Sequence, residues 1–181
     1  FGTGILSDGG GDDIYRGRWY TQGSGAHFAM AFLFEEGGND QYNPDGEVMA
    51  TAVGQGHDLS LGWLIDYQGN DQYWAPGLGL GGGNDNGIGI FADLGGDDTY
   101  NAATGTNYGG ANITERGAAF DSALSLGIFL DADGTDLYPQ IEMNDLIGNN
   151  QSWTWFERQP EHKPGAKGAG LDSTSPDFEL P

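Results

Sequence analysis

Acidic residues recur at fixed places in a short glycine-containing motif along this 181-residue chain. The motif reads [DE]-x-x-G-[DNT]-D-x-Y, with an acid at its first and sixth positions, and it occurs five times without an internal insertion. Calcium binds six to eight oxygen atoms and mixes carboxylates with backbone carbonyls. Glycine permits the carbonyl directions that such a turn needs. The motif therefore predicts calcium-binding turns.

Ten side chains are the candidate metal ligands. The first acids begin the five motifs and are Asp8, Glu35, Asp66, Asp93 and Asp131, so that successive copies start 27, 31, 27 and 38 residues apart. The second acids stand at the sixth position and are Asp13, Asp40, Asp71, Asp98 and Asp136. Each motif ends on a tyrosine, and these motif tyrosines are Tyr15, Tyr42, Tyr73, Tyr100 and Tyr138. A second interpretation stays open, in which Asp and Asn only cap tight turns by accepting hydrogen bonds from backbone N–H groups, with tyrosine packed below.

The turn sequences GGNDQY, QGNDQY and GGDDTY resemble the GGxGxDxUx nonapeptide of the haemolysin-type (RTX) calcium-binding β-roll. That resemblance implies calcium held by turn carbonyls and aspartates, with the second acids matching the family's ligand Asp. It also implies that the motif tyrosines match the family's strand residue. The likeness covers the turns only, since here the turn returns after 27 residues or more.

A histidine beside acids is the other candidate for chemistry. Aligned on the repeats, His27, Asp58 and Asp85 share one column, and His57 aligns with Ala26 and Asn84. A weak catalytic alternative is His57 with Asp58, because a histidine next to a carboxylate can act as a general base or a metal ligand. The competing interpretation is a corner residue that bonds the next repeat. The sequence holds no GxSxG, HExxH or Walker-type signature.

The seven residues before each motif indicate the elements that position it. Large residues alternate there with Gly, Ala or Ser, as in Leu61, Trp63 and the intervening Gly62. Period-two alternation is typical of a strand. We expect the large residues, Met30 and Phe32 among them, to form the core face. The small residues then let another backbone layer approach closely.

These strands and turns predict an all-β, glycine-rich parallel β-solenoid of about five coils with an extended C-terminal tail. Residues 1–138 are assigned to the five-repeat solenoid, 139–158 to a capping segment and 159–181 to the tail, which we expect to be ordered only where it docks. An antiparallel meander, with each motif as a hairpin loop, is the alternative.

Composition restricts the function classes. The 27 acidic residues against 6 basic ones give a net charge of -21, which disfavours nucleic acid as a partner. The absence of cysteine excludes disulfides and thiolate chemistry. No apolar run approaches the roughly 20 residues of a membrane span.

We expect a non-catalytic, calcium-stabilised structural, adhesion or assembly module that is extracellular, on the cell surface or periplasmic, where millimolar calcium suits weak sites. The expected partners are other chains of a larger surface or filamentous assembly, or a polysaccharide. The alternative is a carbohydrate-active or carbohydrate-binding β-helix protein. Exposed aromatic residues such as Trp19, Tyr20, Trp74, Trp153 and Trp155 would then stack on sugar rings, unless they only cover the ends and core of the solenoid.

Overall fold

Each segment of alternating large and small residues forms a strand, and these strands stack in parallel. The computed structural model describes residues 1–113, 117, 120, 122–141, 146–157 and 165–175. The main sheet has seven strands, six of them parallel and in register from coil to coil. In spatial order they are β1 (Thr3–Asp8), β5 (Met30–Glu35), β9 (Leu61–Asp66), β12 (Ile88–Asp93), β14 (Ser125–Asp131), β16 (Ala166–Asp172) and β15 (Ser152–Glu157).

Three smaller parallel sheets form the other sides of the coils. The motif turn leads from the main sheet into a second sheet, made of β2 (Ile14–Tyr15), β6 (Gln41–Tyr42), β10 (Gln72–Trp74) and β13 (Thr99–Asn101). A third side holds β3 (Trp19–Thr21) and β7 (Ala50–Ala52). The fourth precedes the main sheet and contains β4 (Gly25–Ala26), β8 (Gly56–His57) and β11 (Gly83–Asn84).

The predicted parallel β-solenoid is confirmed. Five motif strands stack in the main sheet, whereas the described residues of the fourth side form three strands and an isolated bridge between Gly83 and Ala111. About three coils are therefore complete in the described chain. The antiparallel meander is excluded, because every pairing between motif strands is parallel.

The predicted core face of the main strands is wrong. In β9 the inward side chains are Gly62, Leu64 and Asp66, whereas Leu61 and Trp63 face outward and are partly exposed. The interior beside the small residues is filled by another backbone layer, since a Cβ atom on Gly62 would lie 2.0 Å from the carbonyl oxygen of Gln55. The predicted close approach of backbone is therefore confirmed, and it leaves no room for large side chains.

The interior is built instead from columns of equivalent residues. One aliphatic and aromatic column lies two residues before the first acids and contains Leu33, Leu64, Phe91 and Phe129 in its buried part. Against it stack the rings of the motif tyrosines, with Tyr15, Tyr42, Tyr73 and Tyr100 separated by 4.6–5.3 Å between successive ring centroids. Three of these tyrosines are fully buried, Tyr42, Tyr73 and Tyr100.

Glycine at the fourth motif position is dictated by the stacking of the turns. Gly69 has a φ of +152°, a conformation that other residues rarely adopt. A Cβ atom there would lie 1.7 Å from the carbonyl oxygen of Gly38 in the preceding turn. Successive turns thus lie too close for any side chain at this position.

The C-terminal part of the chain completes the main sheet. Part of the predicted tail, residues 166–172, is the extended strand β16, which pairs in register with β14. β15, within the predicted capping segment, pairs antiparallel with β16 and ends the sheet on that side. The remainder of these two predictions falls partly on residues 142–145, 158–164 and 176–181, outside the described residues. In the described part of the chain, no helix has the length and apolar character needed to cross a membrane.

Candidate metal centre

The second acids form a ladder that joins successive turns. The backbone N–H of Asp40 donates to Oδ1 of Asp71 at 2.6 Å, and the N–H of Asp71 donates to Oδ1 of Asp98 at 2.6 Å. The same bond joins Asp13 to Asp40 at 2.6 Å and Asp98 to Asp136 at 2.8 Å. Turn capping thus accounts for one oxygen of these carboxylates, and the capped N–H belongs to the neighbouring coil.

The first acids accept hydrogen bonds from the buried motif tyrosines. Tyr42 Oη donates to Oδ2 of Asp66 at 2.8 Å, and Tyr73 Oη lies 3.1 Å from the same oxygen and 2.6 Å from Oδ2 of Asp93. Tyr100 Oη donates to Oδ2 of Asp131 at 2.7 Å. The tyrosine ring stack therefore holds one oxygen of each of these first acids in a fixed direction.

These two ladders bring all ten predicted ligands together in four clusters. In each cluster, carboxylate oxygens from three residues lie within 4.8 Å of one another. The clusters are Asp8–Asp13–Glu35, Asp40–Asp66–Asp71, Asp71–Asp93–Asp98 and Asp98–Asp131–Asp136. Every cluster takes its acids from two coils, and Asp71 and Asp98 each belong to two clusters.

Oxygen atoms inside three of these clusters are buried without a hydrogen-bond partner. In the cluster around Asp66 they are Oδ2 of Asp40, Oδ1 of Asp66 and Oδ2 of Asp71. The three residues are at most 1% exposed. In the next clusters the unpartnered atoms are Oδ2 of Asp98, Oδ1 of Asp131 and Oδ2 of Asp136. Each of these six carboxylates thus accepts a hydrogen bond through one oxygen and has the other buried without a partner.

Burial disfavours the ionised form of these acids. Loss of solvation, followed by repulsion from Asp93, raises the pKa of Asp66 to about 8. The same loss of solvation, followed by repulsion from Asp66 and Asp93, raises the pKa of Asp71 to about 9. For Asp98, burial and then repulsion from Asp93 raise the pKa to about 11. At neutral pH these groups need either a proton or a bound cation.

One further acid, which was not predicted from the sequence, extends the column of first acids. Asp172, at the end of β16, pairs in register with Asp131, and Tyr138 donates its hydroxyl hydrogen bond to it. Burial raises the pKa of the Asp172 carboxyl. The signal in the sequence was the segment AKGAGLD, which shows the same alternation ending in an acid but lacks the turn motif that follows the other strands.

The histidine column lies at the corner that precedes the main sheet. His27 stacks over Asp58, and His57 pairs in register with Ala26 and Asn84, which confirms the predicted alignment. These residues are separated from the acid clusters by the six residues of a main strand, about 17–20 Å. His57 and Asp58 are therefore not part of the candidate calcium sites.

The aromatic residues divide between surface and interior. Trp19 and Tyr20 are exposed and stack with ring centroids 5.2 Å apart. Trp153 is 5% exposed and, like Trp155, donates its indole N–H to the carbonyl oxygen of Tyr108. The tryptophans of β15 thus cover the C-terminal end of the core.

Comparison of the chain with protein-family models, with curated protein sequences and with solved structures returned no match. The resemblance of the turns to RTX repeats therefore stays a prediction.

Proposed function

We propose that the protein is a non-catalytic structural module whose solenoid is stabilised by calcium ions bound between its coils. The observation that carries this proposal is the set of buried carboxylate oxygens without a hydrogen-bond partner, grouped between adjacent turns. An unpartnered charged oxygen in a protein interior is strongly unfavourable. A cation between the three acids of a cluster removes that cost.

The donors suit calcium in kind and in number. Calcium prefers oxygen ligands at 2.3–2.6 Å and tolerates irregular coordination with six to eight ligands. Three carboxylates supply part of that shell, and carbonyl oxygens of the turns and water would supply the rest. One ion in each of the four clusters would place eight positive charges among ten carboxylates. Much of the local excess of negative charge would then be neutralised.

The hydrogen bonds of the ladders prevent these carboxylates from rotating away from one another. Oδ1 of Asp71 is held by the backbone N–H of Asp40, and Oδ2 of Asp66 is held by Tyr42 and Tyr73. Rotating either carboxylate away from its cluster breaks hydrogen bonds inside the core. The oxygens are thus preorganised for an ion that joins two coils.

The experiment is a thermal melt of tag-free protein at pH 7.5, in millimolar calcium and in excess chelator, together with elemental analysis after dialysis against buffered calcium. We expect about four calcium ions per chain, and a melting temperature that drops in chelator and recovers when calcium is restored. Stabilisation should follow RT ln(1 + [L]/Kd) per site. An unchanged melting temperature with no co-purifying calcium would overturn the proposal and leave turn capping as the role of the acids.

Two surfaces support a role in assembly. The outward face of the main sheet carries a broad field of partly exposed apolar side chains, including Phe32, Trp63 and Ile90. At the β1 edge, the core-column residue Leu6 is 48% exposed and Ile5 is 69% exposed. Large apolar surfaces of this kind are typical of interaction sites. We propose that other chains of a larger extracellular, cell-surface or periplasmic assembly cover them.

The assembly role is tested by sedimentation of the chain in calcium over a range of protein concentrations. We expect self-association, and we expect a Trp63→Asp substitution on the outward face to abolish it without changing calcium content. A chain that stays monomeric at all concentrations would argue against self-assembly and leave other proteins as the partners to test.

Carbohydrate binding is the second candidate, favoured by the exposed and stacked pair Trp19 and Tyr20. Exposed aromatic rings can stack on the faces of sugars. Retention on immobilised polysaccharide, lost in a Trp19→Ala variant of unchanged melting temperature, would support this function. Equal retention of both proteins would contradict it.

A further inference from the structure

Two histidines and an aspartate meet at one corner of the solenoid, which we call the corner cluster: His27, His57 and Asp58. His27 and Asp58 occupy the same corner position in two successive coils, and both have the left-handed backbone conformation, with φ of +56° at His27 and +53° at Asp58. The N–H of His27 donates to the carbonyl oxygen of His57 at 3.2 Å, so the two corners stack directly. Such conformations are energetically unfavourable for residues other than glycine. The backbone therefore holds these side chains together at an energetic cost.

The donor atoms of the corner cluster have the spacing of a metal site. Nδ1 of His27 lies 2.9 Å from Oδ2 of Asp58, and Nε2 of His57 lies 3.5 Å from the same oxygen. One nitrogen of each histidine and one carboxylate oxygen of Asp58 lie within 4.8 Å of one another. Zinc bonds of about 2.0–2.1 Å in tetrahedral geometry place ligand atoms about 3.3 Å apart. The observed separations bracket that value.

The second nitrogen of each imidazole contacts a polar side chain, as in many metal sites. Nε2 of His27 lies 3.2 Å from the hydroxyl of Tyr20, and Nδ1 of His57 contacts the side-chain amide of Asn84. An amide can donate or accept, so its oxygen can accept from Nδ1–H once Nε2 of His57 binds a metal. Outer-shell contacts of this kind fix the orientation of a metal-binding imidazole.

Exposure gives an ion access to the cluster. The side chain of His27 is 59% exposed, whereas those of His57 and Asp58 are 15% and 10% exposed. His27 and Tyr20 also line an open hollow of about 400 Å³ beside the β4 corner. Two donors are thus held by the fold, and the third lies at the surface, where water can supply a fourth ligand.

We propose that the corner cluster binds one zinc ion through His27, His57 and Asp58, with water as the fourth ligand. Imidazole nitrogen suits zinc and related transition metals, whereas calcium takes oxygen ligands. The site is therefore chemically distinct from the acid clusters at the other end of the main strands. Three protein ligands with one open position is the arrangement of zinc sites that exchange a ligand.

The test is a calorimetric titration of tag-free protein with zinc chloride in saturating calcium, so that the acid clusters are occupied. We expect one zinc ion per chain at this site. Affinity should fall at least tenfold in His27→Ala and in His57→Asn. The second change introduces the residue that the next coil carries at the aligned position, Asn84. A His162→Ala variant, which removes an imidazole outside the described residues, should bind zinc like the original chain.

Zinc binding that is unchanged in His27→Ala overturns the proposal, as does zinc that is displaced by raising calcium. If His57→Asn fails to fold, the His27→Ala titration still decides, because that side chain is mostly exposed.

Discussion

An Asp71→Asn substitution is expected to stabilise the calcium-free protein and to destabilise the calcium-bound protein. Asp71 is 1% exposed and belongs to two of the four acid clusters. Asparagine keeps the shape of the side chain and an oxygen to accept the bond from the N–H of Asp40. It replaces the other oxygen by an uncharged NH2 group that cannot bind a cation. The two conditions therefore separate the metal-binding role of Asp71 from its role in the ladder.

The magnitude without calcium follows from the raised pKa. The ordinary pKa of the carboxyl is 3.8, and burial with repulsion from Asp66 and Asp93 raises it to about 9. At pH 7 the unfolded chain holds this group ionised, whereas the fold requires it protonated. That difference costs about 4 kcal/mol at 1.36 kcal/mol per pH unit. The asparagine variant avoids this cost and should be more stable in chelator by a sizeable part of it.

In saturating calcium the Asp71→Asn substitution is expected to lower the stability of the protein. A site occupied at 100 times its Kd contributes about 2.7 kcal/mol. Weakening two sites therefore costs up to about 5 kcal/mol, which exceeds the gain from removing the charge. The assay is urea unfolding at pH 7 of both proteins, in excess chelator and in saturating calcium.

A matched control is Asp97→Asn. Asp97 stands in the next motif turn, is exposed, and aligns with Asn39 and Asn70 at the same motif position. We expect this change to stay within about 0.5 kcal/mol in both conditions. Equal destabilisation of the Asp71→Asn variant with and without calcium would show that Asp71 acts only by accepting the hydrogen bond from the Asp40 N–H.

Three further predictions concern pH, turn stacking and the direction of the core face. The calcium-free protein should lose stability as pH rises, because burial raises the pKa of these acids from 3.8 to values between about 6 and about 11. Such acids stabilise the fold fully below pH 4, and that contribution is lost as pH rises through the folded pKa values. Melts from pH 4 to 9 in chelator check this, and a rise in stability over that range contradicts it. Gly69→Ala should destabilise the fold by at least about 3 kcal/mol, since its Cβ would meet the Gly38 carbonyl oxygen, whereas Gly77→Ala, with open space around it, should change little in the same melts. Leu64→Ala should lower the free energy of unfolding in urea by about 2–5 kcal/mol, and Leu61→Ala by less than half as much. A larger loss in Leu61→Ala would show that the face of Leu61 is the buried one, as expected from the sequence.

The parallel solenoid was predictable because its determinants are local and repeated. The alternation before each motif specifies a strand, and the spacing of the motifs specifies the coil. The ten candidate ligands followed from the same repeat, and the structure places all of them in acid clusters. The alignment of His57 with Asn84 followed as well, since stacked coils bring equivalent positions together.

The inward face of the strands was mispredicted for a physical reason. A rule that buries large residues favoured Leu61 and Trp63, but the neighbouring backbone layer fills the interior beside Gly62. Asp66 lies on the same face of β9 as Gly62 and Leu64, so burial of this acid also requires that face to point inward. The close approach of backbone beside Gly62 thus accounts for the outward position of Trp63.

The sixth strand and Asp172 could not be found from the motif. β16 has the alternation but lacks the glycine turn, and β15 precedes it in the chain although it lies beyond it in the sheet. Such an antiparallel return depends on contacts across the sheet and not on a repeated sequence pattern.

Calcium binding between the coils can be observed directly in a crystal structure of the protein grown in calcium, with anomalous data to identify the metal. We predict an ion between Oδ2 of Asp40, Oδ1 of Asp66 and Oδ2 of Asp71, with calcium–oxygen distances of about 2.3–2.6 Å. No ion at this position, with the carboxyl groups hydrogen-bonded to one another at about 2.5–2.7 Å, would show that protons rather than calcium neutralise these acids.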